Sequence, residues 1–395
     1  MDQSGFSSEH PWPDLPPELL GLVLSRLPSH AGRVRVAAVC HPWRSNARLL
    51  RPLPPLLPWL ALCDGSFLSL PDGAVHRLPV PDDVSSRFST GRMLVLAHGD
   101  DTYSLMNPPP MTMTPLPELA ICLQRKLSVQ KVVVSDHLVA ALIKVKRFNS
   151  TTTTKVITCA RGQQCDITSY STVKWPAPAG SFINDIALFK GKLYILTTEV
   201  EHYQHELHIL DGRREQTAIR RMPKDDDDDS EEDMFDPYAT DNYVQRNYLV
   251  VSGDRLLMVE RRINLPPMFP TDSGIVKRTC HFEVFEAADL SSARGRWIEV
   301  DTLMGRALFV SKGCSESLPA VGQCSDIGVR EDCIYFMNED DTYTHVHQKI
   351  HENPILDSGV YNMRDKTVTP LLLETAPTPA AGEGLWSPTW LFPET

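Results

Sequence analysis

Six paired apolar runs, each interrupted by a tight turn, constrain the fold of this chain more than any other feature. They begin at residues 59, 92, 131, 185, 248 and 326, and they read WLALCDGSFLSL, RMLVLAHGDDTYSL, KVVVSDHLVAAL, DIALFKGKLYIL, YLVVSGDRLLMV and DIGVREDCIYFM. Each pattern predicts a β-hairpin, because short apolar runs on either side of a polar turn are typical of antiparallel strands. Strand units that recur at roughly 40–60 residues and cannot bury their faces alone indicate a β-propeller. The spacing predicts six or seven blades.

The N-terminal part of the chain has a different pattern. Residues 15–44 read LPPELLGLVLSRLPSHAGRVRVAAVCHPWR, in which paired apolar residues recur at three- and four-residue steps. This period predicts short helices with one apolar face, and Pro16 and Pro17 suit the first turn of a helix. Three small helices cannot shield all these apolar side chains from water. The segment is therefore expected to pack against something else.

These patterns predict a multidomain protein with an α part and an all-β part. We expect a disordered N-terminus at 1–10, a helical domain at 11–51, a proline-rich joint at 52–58 and a propeller at 59–395. The acidic run DDDDDSEED, Asp225–Asp233, lies in a segment predicted as a loop between blades, 222–247, because it has no apolar content to bury. Ser230 stands beside acidic residues within this run, which makes it a possible phosphorylation site.

Composition excludes several classes of partner. The net charge is −11, and the acidic run alone contributes eight negative charges, so the remainder carries −3. No basic face is left for a phosphate backbone, which argues against nucleic acid. No apolar run approaches the about 20 residues that a membrane span needs. The nine cysteines form no C-x-x-C pair and the N-terminus lacks a signal-peptide pattern, so we expect free thiols and a cytoplasmic or nuclear location.

Motifs for covalent chemistry are missing from the sequence. It has no G-x-S-x-G, no phosphate-binding glycine loop and no H-E-x-x-H, so no catalytic residue and no cofactor are predicted. Two histidine groups could bind zinc if a turn gathered them: His202, His205 and His208, and His345, His347 and His351. In an extended strand, however, His205 points away from the other two of its group. Histidines on exposed hairpins, without metal, are the preferred interpretation, and a metal-dependent propeller enzyme is a remote alternative.

Residues 15–44 resemble an F-box. The resemblance rests on the Leu15-Pro16 opening, the paired leucines Leu19-Leu20, Arg33, and the ending Val39-Cys40 and Trp43-Arg44. It implies docking on a Skp-type adaptor, which bridges to a cullin–RING ubiquitin ligase. The residues that the resemblance assigns to adaptor binding are Leu15, Pro16, Leu19, Leu20, Val23, Leu24, Leu27, Val39, Cys40 and Trp43.

The rest of the chain is similar to plant F-box proteins whose C-terminal region is the domain of unknown function 295, the kelch-like KIB type. Segments that carry this similarity are PWLALCDGSFLSLPDGAVHRLP from residue 58, GRALFVSKGCSESLPA from 305, SGVYNMRD from 358 and WSPTWLFP from 386. The similarity implies a non-catalytic substrate receptor, in which the propeller presents a target protein for ubiquitination. The identity of that target does not follow from the sequence.

One departure from the F-box pattern keeps a second hypothesis open. Many F-boxes carry an acidic residue between the first two helices, whereas this chain has SHAG at 29–32. A chain with a weakened adaptor contact could be a ligase-independent binding or regulatory module. Adaptor binding separates the two hypotheses.

Overall fold

The fold is visible in a computed structural model of the chain. The structure describes residues 12–27, 29–50, 56–62, 65–70, 73–108, 111–117, 119, 128–146, 152–161, 173–176, 180–201, 204–211, 214–220, 243–264, 278–290, 295–320, 329–337, 357–371 and 389–392.

Three α-helices make up the N-terminal unit. A 3-10 turn, Trp12–Asp14, precedes α1 (Pro17–Ser25), α2 (His30–Ala38) and α3 (His41–Leu49). Proline stands in the first turn of α1 and of α3, where its missing N–H costs nothing. Helix α3 contacts both α1 and α2, so the three helices form one small bundle.

Short strands make up the rest of the described chain. Their bounds are β1 Trp59–Ala61, β2 Phe67–Ser69, β3 Val75–His76, β4 Val84–Ser89, β5 Leu94–His98, β6 Tyr103–Asn107, β7 Thr112–Pro115, β8 Ser128–Val134, β9 Leu138–Lys146, β10 Thr152–Ala160, β11 Val173–Pro176, β12 Ser181–Phe189, β13 Lys192–Glu199, β14 His205–Asp211, β15 Arg214–Arg220, β16 Tyr243–Ser252, β17 Arg255–Asn264, β18 Arg278–Ala288, β19 Arg296–Glu299, β20 Arg306–Val310, β21 Glu316–Pro319, β22 Cys333–Phe336, β23 Gly359–Asn362, β24 Thr367–Pro370 and β25 Thr389–Leu391.

The strands form a six-bladed β-propeller. Blade 1 has the order β25-β1-β2-β3, and blades 2 to 5 are the meanders β4–β7, β8–β11, β12–β15 and β16–β19. Blade 6 has five strands in the order β21-β20-β22-β23-β24. The inner strands β25, β4, β8, β12, β16 and β21 contact one another in sequence around the axis. Blade number therefore agrees with the lower of the two predicted values.

The C-terminal strand closes the ring. Strand β25 pairs antiparallel with β1, the first strand of the propeller, with Trp59 opposite Leu391. Trp390 on β25 is fully buried, and its Nε1–H donates to the carbonyl of Val310 in blade 6 over 3.0 Å. Blade 1 thus combines both ends of the propeller sequence, which removes an unpaired edge from the ring.

Five of the six predicted hairpins form as antiparallel pairs, and the sixth is wrong. In segment 326–337, Val329 and Arg330 lie outside any strand, and β22 pairs with β20 in parallel instead. Strand β20 precedes the inner strand β21 in the chain but lies between it and β22. A hairpin pattern reports only local alternation, so it did not reveal this inserted strand.

Two further expectations need correction. The predicted loop 222–247 extends too far, because Tyr243–Asn247 already belong to strand β16. The acidic run and Ser230 lie outside the described residues.

The cysteines were expected to be free thiols, and Cys40, Cys280, Cys314 and Cys333 are free. Cys159 on β10, by contrast, is disulfide-bonded.

Candidate functional site

Helix α1 divides its apolar residues between an inner and an outer face. Leu20 and Leu24, one turn apart, are 0% and 1% exposed. Their neighbours Leu19 and Val23 are 48% and 41% exposed. Residues four apart lie on the same side of a helix, so each pair follows from the period of the helix. The inner pair forms the centre of the bundle, and the outer pair faces solvent.

The outer face of α1 is extended by residues that sequence reasoning missed. Leu22 on α1 is also exposed, at a spacing that places it beside Leu19. Elsewhere on the bundle Val34 and Leu49 are exposed. A helix that has more apolar residues per turn than its inner face can hold is expected to expose some of them. Only the packing shows which residues remain uncovered.

The ten residues assigned to adaptor binding occupy three environments. Pro16, Leu19, Val23 and Val39 are exposed, while Leu15, Leu27, Cys40 and Trp43 are partly buried. Leu20 and Leu24 are inside the bundle, where they support α1 from within. The assignment of the ten residues to adaptor binding stays a prediction.

Polar contacts fix the connections of the bundle. Ser29 caps α2, since its side-chain oxygen accepts a hydrogen bond from the Gly32 N–H over 3.0 Å. Serine is as effective at this position as aspartate or asparagine. The Arg33 Nε–H donates to the carbonyl of Leu27 over 3.0 Å, which joins α2 to the end of α1. The SHAG sequence is therefore compatible with a well-formed start of α2.

Trp43 anchors the segment before α1. Its Nε1–H donates to the carbonyl of Trp12 over 2.8 Å, which holds the 3-10 turn against α3. The ring of Trp12 is itself exposed. The indole group of Trp43 thus has a structural partner within the chain.

The histidines expected on exposed hairpins behave differently. His205 and His208 on β14 are both buried, so this expectation is wrong for them. His205 Nε2 lies 3.1 Å from Glu260 Oε1, and His208 Nε2 lies 3.1 Å from Thr197 Oγ1. His202 and the group His345, His347 and His351 lie outside the described residues. Where the structure describes the chain, no three potential metal ligands converge.

Cys314, which follows strand β20, is buried in the propeller core. Burial raises the pKa of its thiol to about 12, so the thiolate is scarce at neutral pH. The adjoining strand β20, Arg306–Val310, is almost entirely buried, so it belongs to the core of the propeller. Within the parts of the chain that are described, no helix is long and apolar enough to span a membrane.

Two family models match the chain. The model described as "KIB1-4 beta-propeller" matches residues 67–362, and the model described as "F-box-like" matches residues 12–50. The first match covers blades 2 to 5, strands β2 and β3 of blade 1, and all of blade 6 except β24. The second covers the helical bundle. No curated protein matches the chain.

Solved structures that match the chain include the N-terminal domain of Nup159 and an acylaminoacyl peptidase from Pyrococcus horikoshii. The Nup159 domain is 8% identical with a TM-score of 0.32, and the match covers 82% of this chain and 77% of that chain. The peptidase is 8% identical with a TM-score of 0.31, and the match covers 78% of this chain and 47% of that chain. Similarity at this level carries no argument about function.

Proposed function

Because the chain belongs to the KIB1-4 beta-propeller family and carries an F-box-like domain ahead of the propeller, we propose that it is the substrate-recognition subunit of a Skp–cullin–F-box ubiquitin ligase. The helical bundle binds a Skp-type adaptor, and the adaptor connects it to a cullin–RING ligase. The propeller binds the target protein. In this role the chain acts in the cytoplasm or the nucleus, without a cofactor.

The single observation that carries the proposal is the uncovered apolar face of α1. Leu19, Leu22 and Val23 face solvent on one side of this helix, while the bundle is already filled by Leu20 and Leu24. Each large aliphatic side chain that leaves water on binding contributes about 1.5–3 kcal/mol. Several such residues are needed, because association itself costs free energy that the burial of one side chain does not offset.

The proposed contribution of the chain to ubiquitination is proximity. A target held on the propeller stays near a ubiquitin-charged enzyme at high effective concentration, which accelerates transfer to a target lysine. No side chain of this protein has to form or break a covalent bond.

The alternative of a ligase-independent binding module rested on the missing acidic residue between α1 and α2. Ser29 supplies the helix cap there, so the departure leaves the start of α2 intact. The alternative now depends only on whether the adaptor binds.

A pull-down of the full chain with a Skp-type adaptor tests the proposal. Val23→Asp places a charge on the outer face of α1 and is expected to weaken adaptor binding at least tenfold, because the charge would be buried on docking. Val368→Asp is the matched control, since Val368 is an exposed valine on the outer propeller strand β24. Leu20→Asp is unsuitable because it would disrupt the bundle itself.

Binding by the wild type and the control, with loss in Val23→Asp at unchanged thermal stability, would support the ligase role. Failure of the wild-type chain to bind any Skp-type adaptor would contradict it and favour the ligase-independent module.

A further inference from the structure

Two arginines lie at the lower end of the groove between blades 5 and 6, where the inner strands of these blades end. Arg255 is the first residue of β17 in blade 5, and Arg306 is the first residue of β20 in blade 6. Both residues are partly buried. The inner strand of blade 5, β16, contacts both β20 and β21 of blade 6, so the two blades pack directly against each other here.

Strand register places the two arginine side chains on facing sides of their blades. Arg255 is two residues before Leu257, and Arg306 is two residues before Leu308, so each arginine shares the side of its leucine. Leu257 and Leu308 belong to one apolar cluster that joins blades 5 and 6. Arg255 therefore faces blade 6, Arg306 faces blade 5, and both lie at the lower edge of this shared cluster.

Arg306 has hydrogen-bond partners but no counter-ion in the described part of the chain. Its Nε–H donates to Ser317 Oγ over 2.8 Å, and its Nη2–H donates to the Ser317 carbonyl over 2.9 Å. Ser317 Oγ in turn lies 2.9 Å from Ser252 Oγ of blade 5. These contacts hold the guanidinium in place, and its Nη1 group takes part in neither of the two hydrogen bonds.

Arg255 has one carboxylate partner and one donor group without an acceptor. Its Nη1 lies 3.3 Å from Glu286 Oε2, and the two side chains are 14% and 31% exposed. Its Nη2 is buried and has no hydrogen-bond partner among the residues that the structure describes. A buried N–H group without an acceptor costs free energy, and an oxygen atom that reaches it would remove that cost.

The charges at this opening do not balance. Burial, and then the positive charge of Arg255, lower the pKa of the Arg306 guanidinium, and no carboxylate of the described chain offsets this effect. The buried carboxylate of Asp332 in blade 6 pairs with Arg364 instead. The guanidinium groups of Arg255 and Arg306 thus have only Glu286 between them, which leaves one positive charge in excess.

We propose that the opening between Arg255 and Arg306 binds a carboxylate group. One carboxylate neutralises the excess charge, and its two oxygens accept hydrogen bonds from Nη1 of Arg306 and Nη2 of Arg255. Because Nη2 of Arg255 is enclosed, the Arg255 side chain turns towards the opening when the carboxylate binds. A phosphoryl group carries about two negative charges at neutral pH and would leave the opening negative, so it fits less well. This inference does not depend on the proposed ligase role.

Phenylglyoxal labelling of the full chain, measured at each arginine by mass spectrometry, tests the proposal. Sodium acetate at about 50 mM is expected to slow the labelling of Arg306 about threefold relative to sodium chloride at equal ionic strength, which is the effect of one ion pair. Arg262, already paired with Glu283, is the internal control and should be labelled at an unchanged rate. Equal rates for Arg306 in acetate and chloride would overturn the proposal. Stronger protection by phosphate than by acetate would overturn it in favour of a phosphoryl site.

Two variants with opposite expected effects locate the site. Arg255→Gln removes one donor and should abolish most of the protection of Arg306 by acetate. Glu286→Gln releases Arg255 from its partner and should strengthen the protection about twofold. Glu283→Gln changes the similar pair on the same two strands and is the matched control, with no expected effect on Arg306. Thermal unfolding verifies that each variant is folded. Equal protection in Glu286→Gln and Glu283→Gln would show that Arg255 takes no part, which would overturn the proposal.

A second arm of the experiment distinguishes an acidic side chain of a partner protein from a free organic acid. Short synthetic peptides with a central aspartate or glutamate are compared with matched peptides that carry asparagine or glutamine. Protection of Arg306 by the acidic peptides at concentrations well below those of acetate would support a protein side chain as the source of the carboxylate. Equal protection by acetate and by the acidic peptides would support a small organic acid. Protection by the asparagine and glutamine peptides would overturn the proposal, since the carboxylate would not be what the site recognises.

Discussion

Lys131 and Asp185 form a buried ion pair near the propeller axis, with 2.8 Å between Nζ and Oδ1. The two side chains are only 6% and 4% exposed. Lys131 belongs to the inner strand of blade 3 and Asp185 to that of blade 4. Asp185 Oδ2 also accepts a hydrogen bond from the Leu249 N–H of blade 5 over 2.8 Å. One carboxylate therefore joins three successive inner strands. Burial raises the pKa of Asp185, and the Lys131 ammonium opposes that shift.

Removing one member of this pair should destabilise the propeller. Asp185→Ala leaves the Lys131 cation buried without its counter-ion, and we expect a loss of about 3–5 kcal/mol in the free energy of unfolding. Adding Lys131→Met should restore part of that loss, because the stranded charge disappears. Urea unfolding of the single and double variants measures the coupling. The control is Glu283→Gln in the more exposed Arg262–Glu283 pair, where about 0–1 kcal/mol is expected. Equal losses at both sites would contradict the prediction.

The two faces of α1 should respond differently to truncation. Leu20→Ala removes a fully buried side chain from the bundle and is expected to cost about 2–5 kcal/mol. Val23→Ala on the exposed face should change stability by less than about 0.5 kcal/mol. Hydrogen exchange of peptides from α1 and α3 in the full chain measures both effects. Faster exchange in Val23→Ala than in Leu20→Ala would show that the inner and outer faces are assigned the wrong way round.

Ring closure should depend on Trp390. This side chain is fully buried, packs edge-on against Phe309 with ring centroids 5.4 Å apart and donates to the Val310 carbonyl. We expect Trp390→Ala to cost about 3–5 kcal/mol, because it opens a large cavity beside the closing strand. Thermal unfolding reports the loss. Val368→Ala on the exposed outer strand β24 should leave the unfolding temperature nearly unchanged, and a similar decrease in both variants would argue against a special role for closure.

Asp332 should make stability depend on pH in the acidic range. Burial by itself would raise the pKa of this carboxyl, but hydrogen bonds from the Leu303 N–H, Arg364 and Thr302 lower it below its ordinary value. A carboxyl with a lowered pKa in the folded state stabilises the fold above its unfolded pKa of about 3.9, and this contribution is lost as pH falls through the folded value.

Asp332→Asn tests this linkage. The variant should be about 1–3 kcal/mol less stable than wild type at pH 7, and the difference should shrink as pH falls below about 4. Asn tolerates the positive φ of 54° at this position, so backbone strain should not contribute. Thermal unfolding from pH 7 to pH 3 measures the difference. A difference that stays constant over this range would mean that the Asp332 charge is not involved.

Local structure was largely predictable from the sequence. The hairpin β12–β13 follows from its turn, where Lys190 and Gly191 both have positive φ, at 46° and 75°, as a two-residue type I′ turn requires. Helices α1 to α3 likewise follow from apolar period, proline position and the Ser29 cap. Interactions between residues close in sequence decide these features, so a single sequence contains the necessary information.

Which distant residues contact each other, and which side chains are buried, was decided only by the tertiary structure. The helical period places Leu19 and Leu20 on adjacent faces of α1, but only the packing of the bundle shows which of the two side chains is covered. Lys131 and Asp185 each stand at the head of an apolar run, and nothing local indicates that they meet. His205 and Gln245 meet only because blades 4 and 5 stand side by side. Contacts between residues far apart in sequence form only when blades pack against each other, and that packing is governed by the burial of blade faces rather than by any short segment.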